Sequence, residues 1–181
     1  MDTKELKKYF ENKATLISRA LDDYLPKETL NPSEIHQAIR YSVLNGGKRF
    51  RPILCIATTE MLEGKLNDVL PVACALELIH CYSLVHDDLP CMDNDDFRRG
   101  QPTTHKRFSE STAILAGNAL ITIAFGIICD YALSSKSNNR NMQKVMTEIG
   151  VASGMKGMVV GQAADLESEK KKISKKKLAY I

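Results

Sequence analysis

Five carboxylates stand within ten residues, at Asp87, Asp88, Asp93, Asp95 and Asp96, and Arg98-Arg99-Gly100 follows at once. Like charges this close repel, and two guanidinium groups offset the repulsion only in part. Such a cluster is stable where a cation sits among the acids. Hard divalent ions such as Mg²⁺ take oxygen donors, are held by one or two carboxylates, and leave positions open for phosphate oxygens. Neighbouring arginines suit bidentate capture of those phosphates. Most charge runs are solvated loops, but this one directly follows a long apolar segment. A calcium loop of the EF-hand type is excluded, because it needs acidic or amide groups at alternate positions and then glycine. Leu89, Pro90 and Phe97 break that pattern in the registers that begin at Asp87, Asp88 and Asp93.

A second constellation is Gly46-Gly47-Lys48-Arg49-Phe50-Arg51-Pro52. Glycines permit close approach of the backbone, and cations at a helix start suit a phosphate. The spacing and the missing final Ser or Thr exclude a Walker A loop; a basic surface turn is the plainer alternative. Upstream of the acidic run, His80 lies seven and eight residues before Asp87 and Asp88, so it shares their helical face, roughly 11–12 Å below them. Glu77, one turn earlier, is placed to orient the His80 ring. A weaker third group is Gly161-Gln162-Ala163-Ala164-Asp165, where Gln162 and Asp165 share a face.

These groups need rigid elements, and helical periodicity runs almost throughout. Leu6, Phe10, Ala14, Ile17, Leu21 and Tyr24 form one apolar stripe that ends near Pro26. Asn31-Pro32-Ser33-Glu34 reads as a helix start, with Asn31 as cap and proline at the first position. Asn45-Gly46-Gly47 closes that helix, and Pro52 opens the next, through Met61. A mostly apolar helix is expected from about Asp68 to Leu89. Pro90 should end it and let Asp93 turn back toward the ion held by Asp87. Another helix covers roughly Ser111 to Leu133, and its charge-free stretch Thr112–Cys129 reads as a central helix buried on all sides rather than as a membrane span. Residues 134–141 are a polar connector, and two shorter helices fill 142–168. The expectation is one all-α domain over 1–181, with no internal repeat.

Apolar and charged fractions of 44% and 26% are those of an ordinary globular chain. The net charge of +3 comes from six lysines at 170–172 and 175–177, and the rest of the chain is net negative. No basic face therefore runs through the body, which argues against a nucleic-acid partner. That lysine-rich stretch reads as a solvated helix or linker. The five cysteines, odd in number and mostly in apolar stretches, fit a reducing compartment, and the N-terminus lacks the apolar core of a signal peptide. A cytoplasmic protein is expected.

Taken together, these residues resemble the trans-prenyltransferases (polyprenyl synthetases), in particular the bacterial farnesyl diphosphate synthases. Gly46-Gly47-Lys48-Arg49 with Arg51-Pro52, Glu77-x-x-His80, the run Tyr82 to Pro90, Arg98-Arg99-Gly100, Leu115-Ala116-Gly117 and Gly161-Gln162-x-x-Asp165 fall in the family's order. The resemblance implies an isoprenoid-synthase-type helical bundle around a central cavity, usually homodimeric. It implies that Asp87 and Asp93, with Asp88 beside them, hold Mg²⁺ bridging an allylic diphosphate that Arg98 grips. Lys48, Arg51, His80 and Arg99 would hold isopentenyl diphosphate, Gln162 is a further substrate-binding candidate, and Tyr82 would limit product length. The implied reaction condenses isopentenyl diphosphate with dimethylallyl or geranyl diphosphate to give farnesyl diphosphate.

Two departures stand against the pattern. Asn118 occupies a position where aspartate is common after Ala-Gly. The chain also stops at Ile181, before the Lys-Thr pair and the second aspartate-rich motif of the family, so the bundle is expected to be incomplete at its C-terminus and the 181-residue chain to be weakly active or inactive alone. A non-catalytic partner subunit is one alternative; a terpene cyclase is another, against which the Gly-Gly-Lys-Arg segment speaks.

Overall fold

The computed structural model describes residues 2–134 and 139–181. Nine helices and one minimal hairpin make up the described residues: α1 (Thr3–Tyr24), α2 (Ser33–Leu44), α3 (Phe50–Met61), α4 (Leu66–Asp87), β1 (Phe97–Arg98), β2 (Gln101–Pro102), α5 (Thr104–Arg107), α6 (Glu110–Leu133), α7 (Asn139–Ser153), α8 (Met158–Ser168) and α9 (Lys175–Tyr180). The all-α expectation holds. The chain falls into two compact units, 1–131 and 132–181.

In the first unit α4 is the central element, packed against α1, α2 and α3. Its apolar residues point all round the axis, and Val69, Val72, Cys74, Leu78, Cys81 and Val85 are all buried. α1 begins at a capping box, with Asp2 accepting from the Glu5 amide and Glu5 from the Asp2 amide. Its apolar stripe is buried at Ile17 and Leu21, while Leu6 and Tyr24 at its ends stay exposed. Lys13 and Tyr9 of α1 both reach Glu60 of α3, tying the two helices at the surface.

Two expectations are corrected, and one element is new. α2 starts at Ser33, with Pro32 at the cap position and no side-chain cap, so Asn31 lies one residue too early to close it. The acidic run is followed by a hairpin that no period-two pattern announced. Its strands are two residues each, too short to show alternation, and they pair Phe97 with Pro102 and Arg98 with Gln101. α6 is not buried on all sides. Ala113, Ala116, Gly117, Leu120, Ala124, Ile127 and Ile128 form one buried stripe, whereas Ile114 and Leu115 are 44% and 58% exposed. By length and composition alone α4 and α6 are apolar enough to cross a bilayer; α4 instead packs as a core helix.

In the second unit α7 packs on α8. The Lys-rich stretch is partly helical, since Ser174 caps α9 by accepting from the Lys177 amide. Part of the polar connector expected at 134–141 lies outside the described residues.

Candidate functional site

α4 ends where the acidic run begins. Asp87 is the last helical residue, and the chain then folds back through a tight turn at Leu89 and Pro90. The Asp93 amide donates to the Asp87 carbonyl at 2.8 Å, and the Asn94 amide to the Leu89 carbonyl at 3.1 Å. Proline at 90 has no amide to continue the helix, and the return of Asp93 to Asp87 is the one expected from it.

The five carboxylates then separate into two groups. Asp88, only 3% exposed, accepts from Arg98 Nε at 2.6 Å. Asp95 holds the same guanidinium at 3.3 Å, and Asp96 pairs with Lys106 at 2.8 Å. Lys106 holds the Asp96 carboxyl below its ordinary range. Thr103 braces this loop from below, donating its hydroxyl to the Asp95 carbonyl at 2.8 Å. Asp87 and Asp93 have no ion pair among the described residues. Burial, and next the Asp93 charge, push the Asp87 carboxyl above its usual value, with Arg98 pulling the other way. Two carboxylates close together without an ion pair among the described residues are of the oxygen-donor type that hard divalent cations take. No group of three or more His, Cys, Asp or Glu side chains converges on a point among the described residues. A cation there would take its remaining ligands from water or phosphate, which suits Mg²⁺.

The hairpin joins this acidic end to the basic constellation. Its turn is Arg99-Gly100, both left-handed, at φ 54° and 76°, as a two-residue hairpin turn requires. That geometry sends Arg98 to Asp88 and Arg99 to the glycine loop, where Arg99 Nη1 donates to the Gly46 carbonyl at 2.6 Å. Gly47 sits at φ 119°, a conformation that favours glycine, and the Arg99 guanidinium lies close over its bare Cα.

Gly47, Lys48, Arg49, Phe50, Arg51, Glu77, His80 and Arg99 line one open hollow of about 420 Å³. Lys48 and Arg51 are exposed on it and His80 is half-buried. Burial, then Arg51, lower the His80 pKa, so its imidazole is neutral near pH 7 and can donate from one nitrogen and accept at the other. Glu77 does not serve the His80 ring as expected. Its Oε1 accepts from Arg49 Nη1 at 2.8 Å, both side chains being 2% exposed, because Arg49 adopts a left-handed φ of 51° and turns inward. Nothing in the run Lys48-Arg49-Phe50-Arg51 marks which of its three cations is the buried one.

Tyr82, four residues before His86, packs edge-on against it at 4.9 Å. His86 in turn bonds the Ile114 carbonyl of α6 through Nε2 at 3.2 Å. α6 comes this close only because residue 117 is glycine, since a Cβ there would collide with His86 Nε2. Asn118 is exposed. In the second unit, Gln162 and Asp165 line one hollow with Lys156 and Tyr180, so the shared face is real. None of the five cysteines forms a disulfide, and burial pushes the Cys74 and Cys81 thiols up to about 12.

A family model described as polyprenyl synthetase matches residues 32–181. The chain belongs to the polyprenyl synthetase family. It is 50% identical over 165 residues to geranylgeranyl pyrophosphate synthase 4 of Arabidopsis thaliana, covering 91% of this chain and 43% of that protein. To the farnesyl diphosphate synthase of Micrococcus luteus it is 47% identical over 161 residues, covering 89% and 53%. The crystal structure of an FPP/GFPP synthase from Zymomonas mobilis superposes with a TM-score of 0.90 at 38% identity, covering 97% of this chain and 63% of that one. The chain thus spans about half the length of the curated relatives it matches.

Proposed function

We propose that this chain forms the substrate-binding half of a prenyltransferase that condenses isopentenyl diphosphate with an allylic diphosphate. The observation that carries the reading is the separation of charges at the end of α4. Three of the five acids are ion-paired, Asp88 and Asp95 with Arg98 and Asp96 with Lys106, while Asp87 and Asp93 have no ion pair among the described residues and the Asp93 charge bears on Asp87. Mg²⁺ bound by that pair would neutralise the diphosphate and the charge that grows on it as it leaves.

The chain's own residues supply the rest. Arg98, held by Asp88 and Asp95 through Nε and Nη2, has no protein acceptor for Nη1 among the described residues and offers it to the allylic diphosphate. Lys48, Arg51, Arg99 and the neutral His80 surround a hollow sized for a second diphosphate, that of isopentenyl diphosphate. In the reaction the allylic carbon–oxygen bond breaks and the electron pair leaves with pyrophosphate. The alkene of isopentenyl diphosphate forms the new carbon–carbon bond, and a proton passes from the adjacent carbon to the departing pyrophosphate. The cations stabilise the charge on the leaving group, and an apolar surround keeps water from the allylic cation.

The product proposed is farnesyl diphosphate. Tyr82 supports it: a bulky ring five residues before Asp87, braced by His86, stands where an extended chain would run along α4. A homodimer in the cytoplasm is the proposed setting. The test is to incubate the chain with Mg²⁺, geranyl diphosphate and labelled isopentenyl diphosphate, alone and together with the C-terminal half of the Micrococcus relative. Labelled farnesyl diphosphate is expected from the pair and little from the chain alone. No condensation product with any allylic diphosphate would contradict the reading.

A further inference from the structure

The basic hollow gathers Lys48, Arg49, Arg51 and Arg99 around a single carboxylate, Glu77. Three of them, Lys48, Arg49 and Arg51, directly follow Gly46-Gly47 and would spread apart unless something fixed the backbone between them. Arg49 differs from its neighbours in every respect that bears on this. It is 3% exposed, and it binds three helices at once. Nη1 donates to Glu77 Oε1 of α4 at 2.8 Å, Nη2 to the Val43 carbonyl of α2 at 2.7 Å, and Nε reaches Ser18 Oγ of α1 at 3.4 Å. Its φ of 51° is a left-handed conformation that an arginine adopts only where the surroundings hold it there.

The consequence is positional. With residue 49 turned inward, its neighbours turn outward: Lys48 on one side, Phe50 and Arg51 on the other are exposed. We infer that Arg49 and Glu77 act as a positioning pair, touching no ligand themselves but fixing the backbone from Gly47 to Arg51 so that Lys48 and Arg51 meet one anionic group beside His80. This rests on the reading of the hollow as a diphosphate site and extends it to two residues outside that site's contact set. Glu77 also tempers the hollow, since its charge opposes the effect of Arg51 on His80.

The experiment is calorimetric titration of the 181-residue chain with inorganic pyrophosphate in EDTA, so that divalent cations at Asp87 and Asp93 play no part. Arg51→Ala, Glu77→Gln and the double variant Arg49→Met/Glu77→Met are compared with the wild type, each with a circular-dichroism melt. The double variant replaces a buried pair by apolar side chains of similar bulk, a change the fold commonly tolerates. Arg51→Ala and the double variant should each weaken pyrophosphate by about tenfold or more. In the double variant that loss should come with a single cooperative melt and with unchanged Mg²⁺-dependent bisphosphonate binding at the carboxylates, which general loosening would not spare. Unchanged pyrophosphate affinity in Arg51→Ala shows that the hollow binds no anion, and both the site and the pair's role fall. Affinity lost in Arg51→Ala but kept in the double variant leaves the site standing and overturns the positioning role. Unfolding of both Glu77→Gln and the double variant assigns the pair to holding the fold and likewise overturns it.

Discussion

Arg98 lays two nitrogens on a single oxygen of Asp88, Nε at 2.6 Å and Nη2 at 2.5 Å. The middle acid of the site is thereby committed to an arginine on the hairpin, whereas its neighbours Asp87 and Asp93, proposed as the cation's ligands, have no ion pair among the described residues. The pair also sets where the hairpin sits, because Asp88 is buried at the end of α4 and Arg98 is the second residue of β1.

Asp88→Asn should therefore act on stability first. It removes the ionic acceptor of a charge-assisted hydrogen bond, a loss of about 2 kcal/mol. Urea denaturation measures it. The same variant should weaken Mg²⁺-dependent bisphosphonate binding less than Asp87→Asn does. The reverse order of affinities would make Asp88 the principal metal ligand.

Gly117→Ala tests the approach of α6 to α4. The new methyl group has no room beside His86 Nε2, so either the ring gives up the Ile114 carbonyl or the helices part. Overpacking of this kind costs about 1–3 kcal/mol. A melting temperature equal to that of wild type would show that the contact is slack.

The pH dependence of the metal-free chain follows from Asp87. Burial and Asp93 raise its pKa in the folded state above the ordinary value. The folded chain thus keeps this proton to higher pH than the unfolded chain, and ionising Asp87 destabilises the fold as pH rises. In EDTA, Asp87→Asn should melt above wild type near neutrality. The gap should close as pH falls below the ordinary carboxylate value, where both states of the wild type hold the proton. Thermal melts across that range check it, and an Asp87→Asn variant less stable at neutral pH would contradict the assignment.

Tyr82→Ala concerns product length in a protein completed by the C-terminal half of a relative. Removing the ring that His86 braces opens space along α4 below the acidic end. Longer products than farnesyl diphosphate are expected by chromatography, and an unchanged product would move the floor of the cavity to other side chains.

Much of this was legible in the chain because the signals were local. The 3.6-residue apolar period located α1, α4 and α6 to within a few residues, and Pro90 forecast the return of Asp93 to Asp87. What could not be read depends on contacts between distant residues. Glu77 is 28 residues from Arg49, and nothing in either neighbourhood says they meet in the core. The hairpin at Phe97–Pro102 carries too few residues for a period, though Arg99-Gly100 could have served as its turn signal. α6 misled for a related reason. An uncharged helix reads as buried all round, yet its exposed face at Ile114 and Leu115 is as apolar as its buried one.

The central claim is that Asp87 and Asp93 together hold a divalent cation for a diphosphate. Calorimetry of a bisphosphonate binding to the wild-type chain, to Asp87→Asn and to Asp93→Asn, each with Mg²⁺ and with EDTA, tests it most directly. The expected result is binding that requires Mg²⁺ in the wild type and is weakened by about tenfold or more in each variant. Equal affinity in all three proteins, with and without Mg²⁺, would contradict the account.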